Sequence, residues 1–224
     1  TGLQSMLQNQ IEKFGQHMFK EGSVVIPGNT SYSDRYSSIQ LNNNFQGIPV
    51  SAYANQLIGT TITGQTSGVT ASVDKVLFSE NSENGNLTLY INYLSSNTSN
   101  NETEVFSDGE ELTCSVTITS GLLGNTAISI GSPFASTISN NASSTGSAFH
   151  VENGIYFVRG QFVTVNAETL ILDQYTNNPS YRIGLNILEE IINSDLDETL
   201  NDNSQGFNNY AAPGADRLKI SLSL

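Results

Sequence analysis

Two histidines, one cysteine and a scatter of acids are the chemistry this chain carries. A nucleophile needs a base beside it, and the only imidazoles are His17 and His150. His17 lies in a helix-like segment next to an apolar stripe, the setting of a structural or interface residue. His150 falls on the same strand face as Glu152, an arrangement that orients an imidazole. No Ser or Cys stands near it in a strand–turn–helix context, so nucleophilic catalysis is not expected. Cys114 lies in LTCSVTIT, an alternating strand pattern, and reads as a half-buried structural thiol. A single cysteine excludes an internal disulfide.

Metal ligation is equally thin. Asp195, Asp197, Thr199 and Asn201 fall at alternate positions, as the first ligands of a calcium loop do. Leu200 stands where the sharp turn of such a loop needs Gly, and no Glu closes it, so a solvated acidic turn is expected. Glu189 and Glu190 are neighbours whose side chains point to opposite faces of a strand, not across a cleft as glycoside cleavage requires. There is no Gly-rich phosphate loop and no dinucleotide fingerprint. The expectation is a chain without catalytic residues, metal or cofactor.

Charge and composition narrow the partners. Eight basic residues stand against 21 acidic ones among 224, a net charge of −13. A phosphate backbone needs a basic face to displace its counterions, so nucleic acid is not expected as a partner. Anionic membrane surfaces are disfavoured by the same sign. Membrane insertion is not expected either, since no apolar run approaches the roughly 20 residues of a spanning helix. The first residue is not Met and no signal-peptide pattern follows, so the chain reads as a segment of a longer polypeptide. Asn-x-Ser/Thr triplets at Asn29, Asn86, Asn97, Asn101 and Asn141 read as chance in a chain this rich in those residues.

The elements that must position these residues are mainly β. Leu3, Leu7, Ile11, Phe14 and Met18 recur at spacings of four, four, three and four, which predicts an amphipathic helix over 1–21 with Gly22 as its stop. Two uses of that stripe stay open: packing on its own domain, or a coiled-coil seam formed by Leu7, Ile11, Phe14 and Met18 between copies. Short alternating strands in LIGTTITG, GVTASVDKVLF, LTLYINYL and EELTCSVTIT predict a small β-barrel at 50–120. It is expected as an insertion in a discontinuous, β-sandwich-like domain formed by 22–48 and 124–224. The polar stretch 95–111 reads as a long loop, and 120–147 as an extended linker or lid.

The segment HVENGIYFVRGQFVTV (150–165) reads as three strands joined by two tight turns, Asn-Gly and Arg-Gly. Two-residue turns set Glu152 opposite Ile155, Val151 opposite Tyr156 and His150 opposite Phe157. They also set Val158 opposite Gln161, Phe157 opposite Phe162 and Tyr156 opposite Val163. Alternation gives one face to Phe149, Val151, Tyr156, Val158, Val163 and Val165, which reads as core. The other face carries Ile155, Phe157 and Phe162, which a second layer or another subunit must cover.

More specific phrases lie towards the two ends: LQNQIEKFGQHMFKEGSVV, then FVRGQFVTVNAETLILDQYTNNPSYRIGL and LNDNSQGFNNYAAPGADRLKI. With these the chain resembles a family of virion structural proteins of contractile-tailed phages of the cyanophage type, defined by a domain of unknown function. Residues 50–120 are similar only loosely to barrel-like modules of phage tail proteins. The resemblance implies a non-enzymatic virion protein of the tail, in the baseplate or fibre-attachment apparatus, assembled in the host cytoplasm. It also implies a homotrimer that binds other baseplate or fibre proteins.

Read physically, Pro213-Gly214 makes a turn, and Asp216 and Arg217 stand just before an alternating strand. The planar fork of Arg217 suits a carbonyl or carboxylate, so the pair is expected to act as a structural latch. The alternative function is a receptor-binding module that stacks host surface glycans on Tyr53, Tyr90 or Tyr93.

Overall fold

The computed structural model describes residues 2–96, 104–119, 127–206, 208 and 210–224. It is mainly β, an N-terminal helix followed by several antiparallel sheets, one of them eight-stranded. In chain order the elements are α1 (Gly2–Met18), β1 (Ser23–Ile26), β2 (Thr30–Leu41), β3 (Asn44–Phe45), β4 (Ile48–Pro49), β5 (Thr61–Gly64), β6 (Thr70–Leu77) and β7 (Leu87–Ser95). Then come β8 (Glu111–Cys114), β9 (Pro133–Ser136), β10 (Ser143–Val151), β11 (Gly154–Val158), β12 (Gln161–Val165), β13 (Glu168–Asp173), β14 (Asn186–Ile192) and β15 (Arg217–Ser223). They gather into two compact units. One comprises Thr1–Ser31, Phe149–Leu170 and Tyr181–Leu224; the other comprises Tyr32–Ala148 and Ile171–Ser180.

The second unit holds most of the eight-stranded sheet, of order β13-β10-β2-β7-β6-β5-β8-β9. Period-two alternation buries Ile62 on β5 and Ala71 and Val73 on β6 in one core. Ile39, Leu41, Leu87, Leu89, Ile91, Leu112 and Phe134 join them from the neighbouring strands. Strand β7 is buried on both faces at its start, which explains the near-continuous apolar run LTLYI. Its Tyr90 points away from the main core and stacks on Tyr36 at 4.6 Å, beside Ala148.

The small barrel expected at 50–120 is not present as a closed body. Its strands β5 to β8 are members of the larger sheet, extended by β2 on one side and β9 on the other. Four short strands cannot enclose a packed interior, because barrel diameter grows with strand number. Beyond β9 the chain does return to β2, through an isolated bridge between Leu41 and Thr137. Around it the Asn42 N–H donates to the Ser136 carbonyl at 2.9 Å and the Ile138 N–H to the Gln40 carbonyl at 3.1 Å.

The stretch 120–147 is not simply a linker. Pro133–Ser136 forms β9, and Ser143 opens β10, so Ser- and Thr-rich composition here belongs to paired strands. Residues 120–126 of that stretch, and Asn97 and Asn101 of the polar loop, lie outside the described residues.

In the first unit β11 lies between β1 and β12. The Arg-Gly turn forms as predicted: Arg159 and Gly160 have φ of 54° and 78°, the pair of positive values a type I′ turn requires. The expected register follows, with Val158↔Gln161, Phe157↔Phe162 and Tyr156↔Val163. The Asn-Gly turn does not make a hairpin. The second neighbour of β11 is β1, paired Ser23↔Phe157, Val24↔Tyr156 and Ile26↔Ile155, so the predicted facing pairs of Val151, Glu152 and His150 are absent.

Both residues of Asn-Gly serve other ends. The Asn153 Oδ1 accepts the Ala167 N–H at 2.7 Å. A Cβ on Gly154 would stand 2.9 Å from the Gly28 nitrogen and 3.0 Å from the Ile26 carbonyl oxygen. This glycine admits a backbone crossing rather than a left-handed turn.

Candidate functional site

Helix α1 carries the feature most open to interaction. Its one buried residue is Gly15. A Cβ there would lie 2.7 Å from the Phe157 ring and 3.1 Å from the Phe162 ring, so the helix rests on β11 and β12 through a bare backbone patch. Phe19, just beyond the helix, completes an aromatic group. Its ring centroid is 5.9 Å from Phe157 and 5.7 Å, edge-on, from Phe162, which are themselves 5.3 Å apart. The exit is fixed further by Glu21, whose two carboxylate oxygens accept the Arg159 N–H at 2.9 and 3.1 Å.

That docking leaves the apolar stripe outside. Leu3 is 66%, Leu7 49%, Ile11 56%, Phe14 62% and Met18 63% exposed. At 100° per residue, Gly15 and Phe19 lie about 80–120° round the axis from the centre of the stripe, so one flank can dock while the stripe points elsewhere. Of the β residues expected to need cover, Phe157 is buried under this flank and Ile155 is half-buried. Phe162 remains 37% exposed. It lies with Leu7 and Ile11 on a groove of about 420 Å³ beside the helix.

A second apolar surface belongs to the antiparallel pair β14 and β15. Ile187, Ile191 and Leu218, which share one face, are each more than two-fifths exposed. Glu189 and Glu190 do diverge, one pairing with Arg159 at 2.7 Å and the other with Lys219 at 3.3 Å. The face read as core, with Phe149, Val151, Tyr156 and Val158, meets Ile187 and Leu222 around an apolar cavity of about 390 Å³.

The other sequence candidates are dispersed. His17 Nδ1 lies 2.9 Å from the Lys13 carbonyl, which can only accept, so that nitrogen carries the proton. His150 Nδ1 is 2.9 Å from Thr169 Oγ1, while Glu152 accepts from the Asn29 amide at 2.9 Å; the two do not pair with each other. Cys114 is free and buried, its thiol 3.4 Å from Thr60 Oγ1. Among the described residues no three His, Cys, Asp or Glu side chains gather as a metal site.

Asp216 is exposed, and Arg217 opens β15 opposite Ile192. The carboxyl of Asp197 is held below its ordinary range by the Thr199 hydroxyl and N–H, with the Arg217 charge adding to the effect. Tyr53 and Tyr90 are 2% and 0% exposed, their hydroxyls donating to the Phe134 carbonyl at 2.6 Å and the Gln174 carbonyl at 3.2 Å. Tyr93 packs half-buried against the main core.

One buried acid gave no signal in the sequence. Glu110 is 4% exposed and has no cation beside it in the contacts described. Its Oε2 accepts the N–H groups of Thr66 at 3.0 Å and Ser67 at 2.9 Å; its Oε1 accepts the Ser107 N–H at 2.6 Å and the Ser67 hydroxyl at 2.8 Å. The carboxylate ties the β5–β6 turn to the segment entering β8. A Glu in the string SDGEELT reads as an exposed turn residue; only the long-range contact distinguishes it.

No helix among the described residues is long and apolar enough to cross a membrane. No protein-family model matches the chain, and no curated protein or solved structure matches it significantly.

Proposed function

We propose that the chain is a non-enzymatic structural component of a phage tail, in the baseplate or fibre-attachment apparatus, and that it acts through protein–protein assembly. The observation carrying this reading is the exposed stripe of α1, with every member from Leu3 to Met18 at least 49% accessible on a helix anchored elsewhere. A contiguous apolar surface of this kind is characteristic of an interaction site. The resemblance at both ends of the sequence points to the virion as the setting and to other baseplate or fibre proteins as partners. The β-sandwich-like arrangement read from the sequence belongs to the same proposal, as an inert body that holds the helix.

Glycan recognition through Tyr53, Tyr90 or Tyr93 is not carried forward, because two of those rings are enclosed in the core and the third packs against it. The test is quantitative mass spectrometry of purified particles from a phage that encodes the chain. Recovery in the tail fraction at a fixed copy number is expected. Absence from intact particles would overturn the assignment.

A further inference from the structure

We infer that the stripe of α1 is covered by the same helix of a second copy of this chain, laid parallel and in register. This rests on the assembly reading above and names its partner. Leu7, Ile11, Phe14 and Met18 alternate at four, three and four, so identical helices can mesh layer by layer without a foreign sequence. In that phase the exposed residues flanking the seam are Gln8, Gln10 and His17, while the fourth flanking position, Gly15, is covered by Phe157 and Phe162 of its own chain. None of these is Asp, Glu, Lys or Arg. For a chain with a net charge of −13, copies repel over most of their surface, whereas along this strip the one acid of the helix is Glu12, on the wall of the groove beside Phe162.

Orientation follows from the flanks. In a parallel pair, the residue preceding one core position meets the flank following a core position on its neighbour. That brings Leu3 of one copy over Gln8 of the next, beside the groove formed by Leu7, Ile11 and Phe162. Leu3 and Phe162, both left exposed in the single chain, then cover each other. An antiparallel pair sets like flanks together and leaves the groove without an apolar occupant. The exposed parts of Leu3, Leu7, Ile11, Phe14, Met18 and Phe162 amount to roughly 600 Å² per copy, somewhat below the ~800 Å² per partner of a standard stable interface. Association is therefore expected to depend on concentration.

The experiment uses the full chain in sedimentation equilibrium over a wide concentration range. The expected mass rises from one chain to an integer multiple. Phe14→Asp returns it to one chain with the circular dichroism unchanged, and Leu3→Asp weakens association. Orientation is read in a Cys114→Ser background. Oxidised Met18→Cys is expected to cross-link to itself, and a mixture of Leu7→Cys with Met18→Cys to give no more mixed product than chance. A single-chain mass at every concentration overturns the inference, as does a mixed cross-link formed to the exclusion of the self-link. Should Phe14→Asp fail to fold, the cross-linking pattern decides alone. Either negative result leaves recovery of the chain in tail particles as a separate measurement, so the two proposals fail independently.

Discussion

Gly15 of the helix and Phe157 of β11 approach so closely that a single methyl on the glycine would stand 2.7 Å from the ring. Phe157 is held in turn by Phe19 and Phe162, so it has little room to yield. Gly15→Ala should therefore destabilise the chain by about 1–3 kcal/mol through overpacking. This opposes the ~1 kcal/mol by which Ala favours a helix over Gly. Urea denaturation against Asn9→Ala, a substitution at an exposed position of the same helix, checks it. A more stable Gly15→Ala protein would show that the helix is not seated on the ring.

Glu110 holds the turn between β5 and β6 against the segment before β8. Glu110→Ala would leave the Ser67 N–H buried without its acceptor and take the acceptor from the partly exposed N–H groups of Thr66 and Ser107. Each such loss costs on the order of 1–3 kcal/mol, and the expected total is about 3 kcal/mol because the loop can relax towards water. Glu110→Gln keeps part of the network and should lose less. Chemical denaturation of both variants gives the ranking.

Burial pushes the Tyr53 hydroxyl from 10.0 up to about 12. Burial also raises Tyr90 and Tyr36, and for Tyr36 the hydrogen bond to Asp74 adds to it. The unfolded chain loses these protons near 10, while the folded chain keeps them. Stability is thus fully retained below about pH 10 and falls as pH rises from there through 12, by roughly 1.4 kcal/mol per unit for each such tyrosine. Tyrosinate absorbance should appear together with unfolding. A full titration of all tyrosines near pH 10 with the fold intact would contradict the burial.

At the β11–β12 turn, Gly160 has φ of 78°. Gly160→Ala should cost about 1–2 kcal/mol, since a side chain there is strained. Arg159→Gly should be close to neutral: it relieves a positive φ while giving up a surface ion pair with Glu189 worth at most about 1 kcal/mol. Thermal denaturation of the two variants distinguishes them.

The same turns show what could be read in advance. Helix α1 and its stripe were legible because a 3.6-residue period is a local property, and so was the register across Arg159-Gly160. Asn153-Gly154 misled because its side chain and its missing Cβ answer to Ala167, Gly28 and Ile26, which nothing nearby in sequence reveals. The strands β5 to β8 were found, but not that β2 and β9 extend them into one sheet, since the alternation of a strand does not encode its pairing partner. The direction of the stripe was hidden for a related reason: it depends on which flank carries the smallest residue, and on two phenylalanines far along the chain.

The isolated Leu41–Thr137 bridge bears on how the protein is made. Asn42, whose amide donates to the Thr137 carbonyl at 3.0 Å, stands 95 positions before it. Contacts that span so much chain are slow to form, because the closure entropy is lost before they are gained. Until residues near 138 have left the ribosome, the Gln40–Leu41 end of β2 can pair with β7 on one side only, and its other edge, open until then, is a template for wrong pairing. The bridge is thus a timing element in biosynthesis: its closure ends the interval in which this edge of β2 stands open.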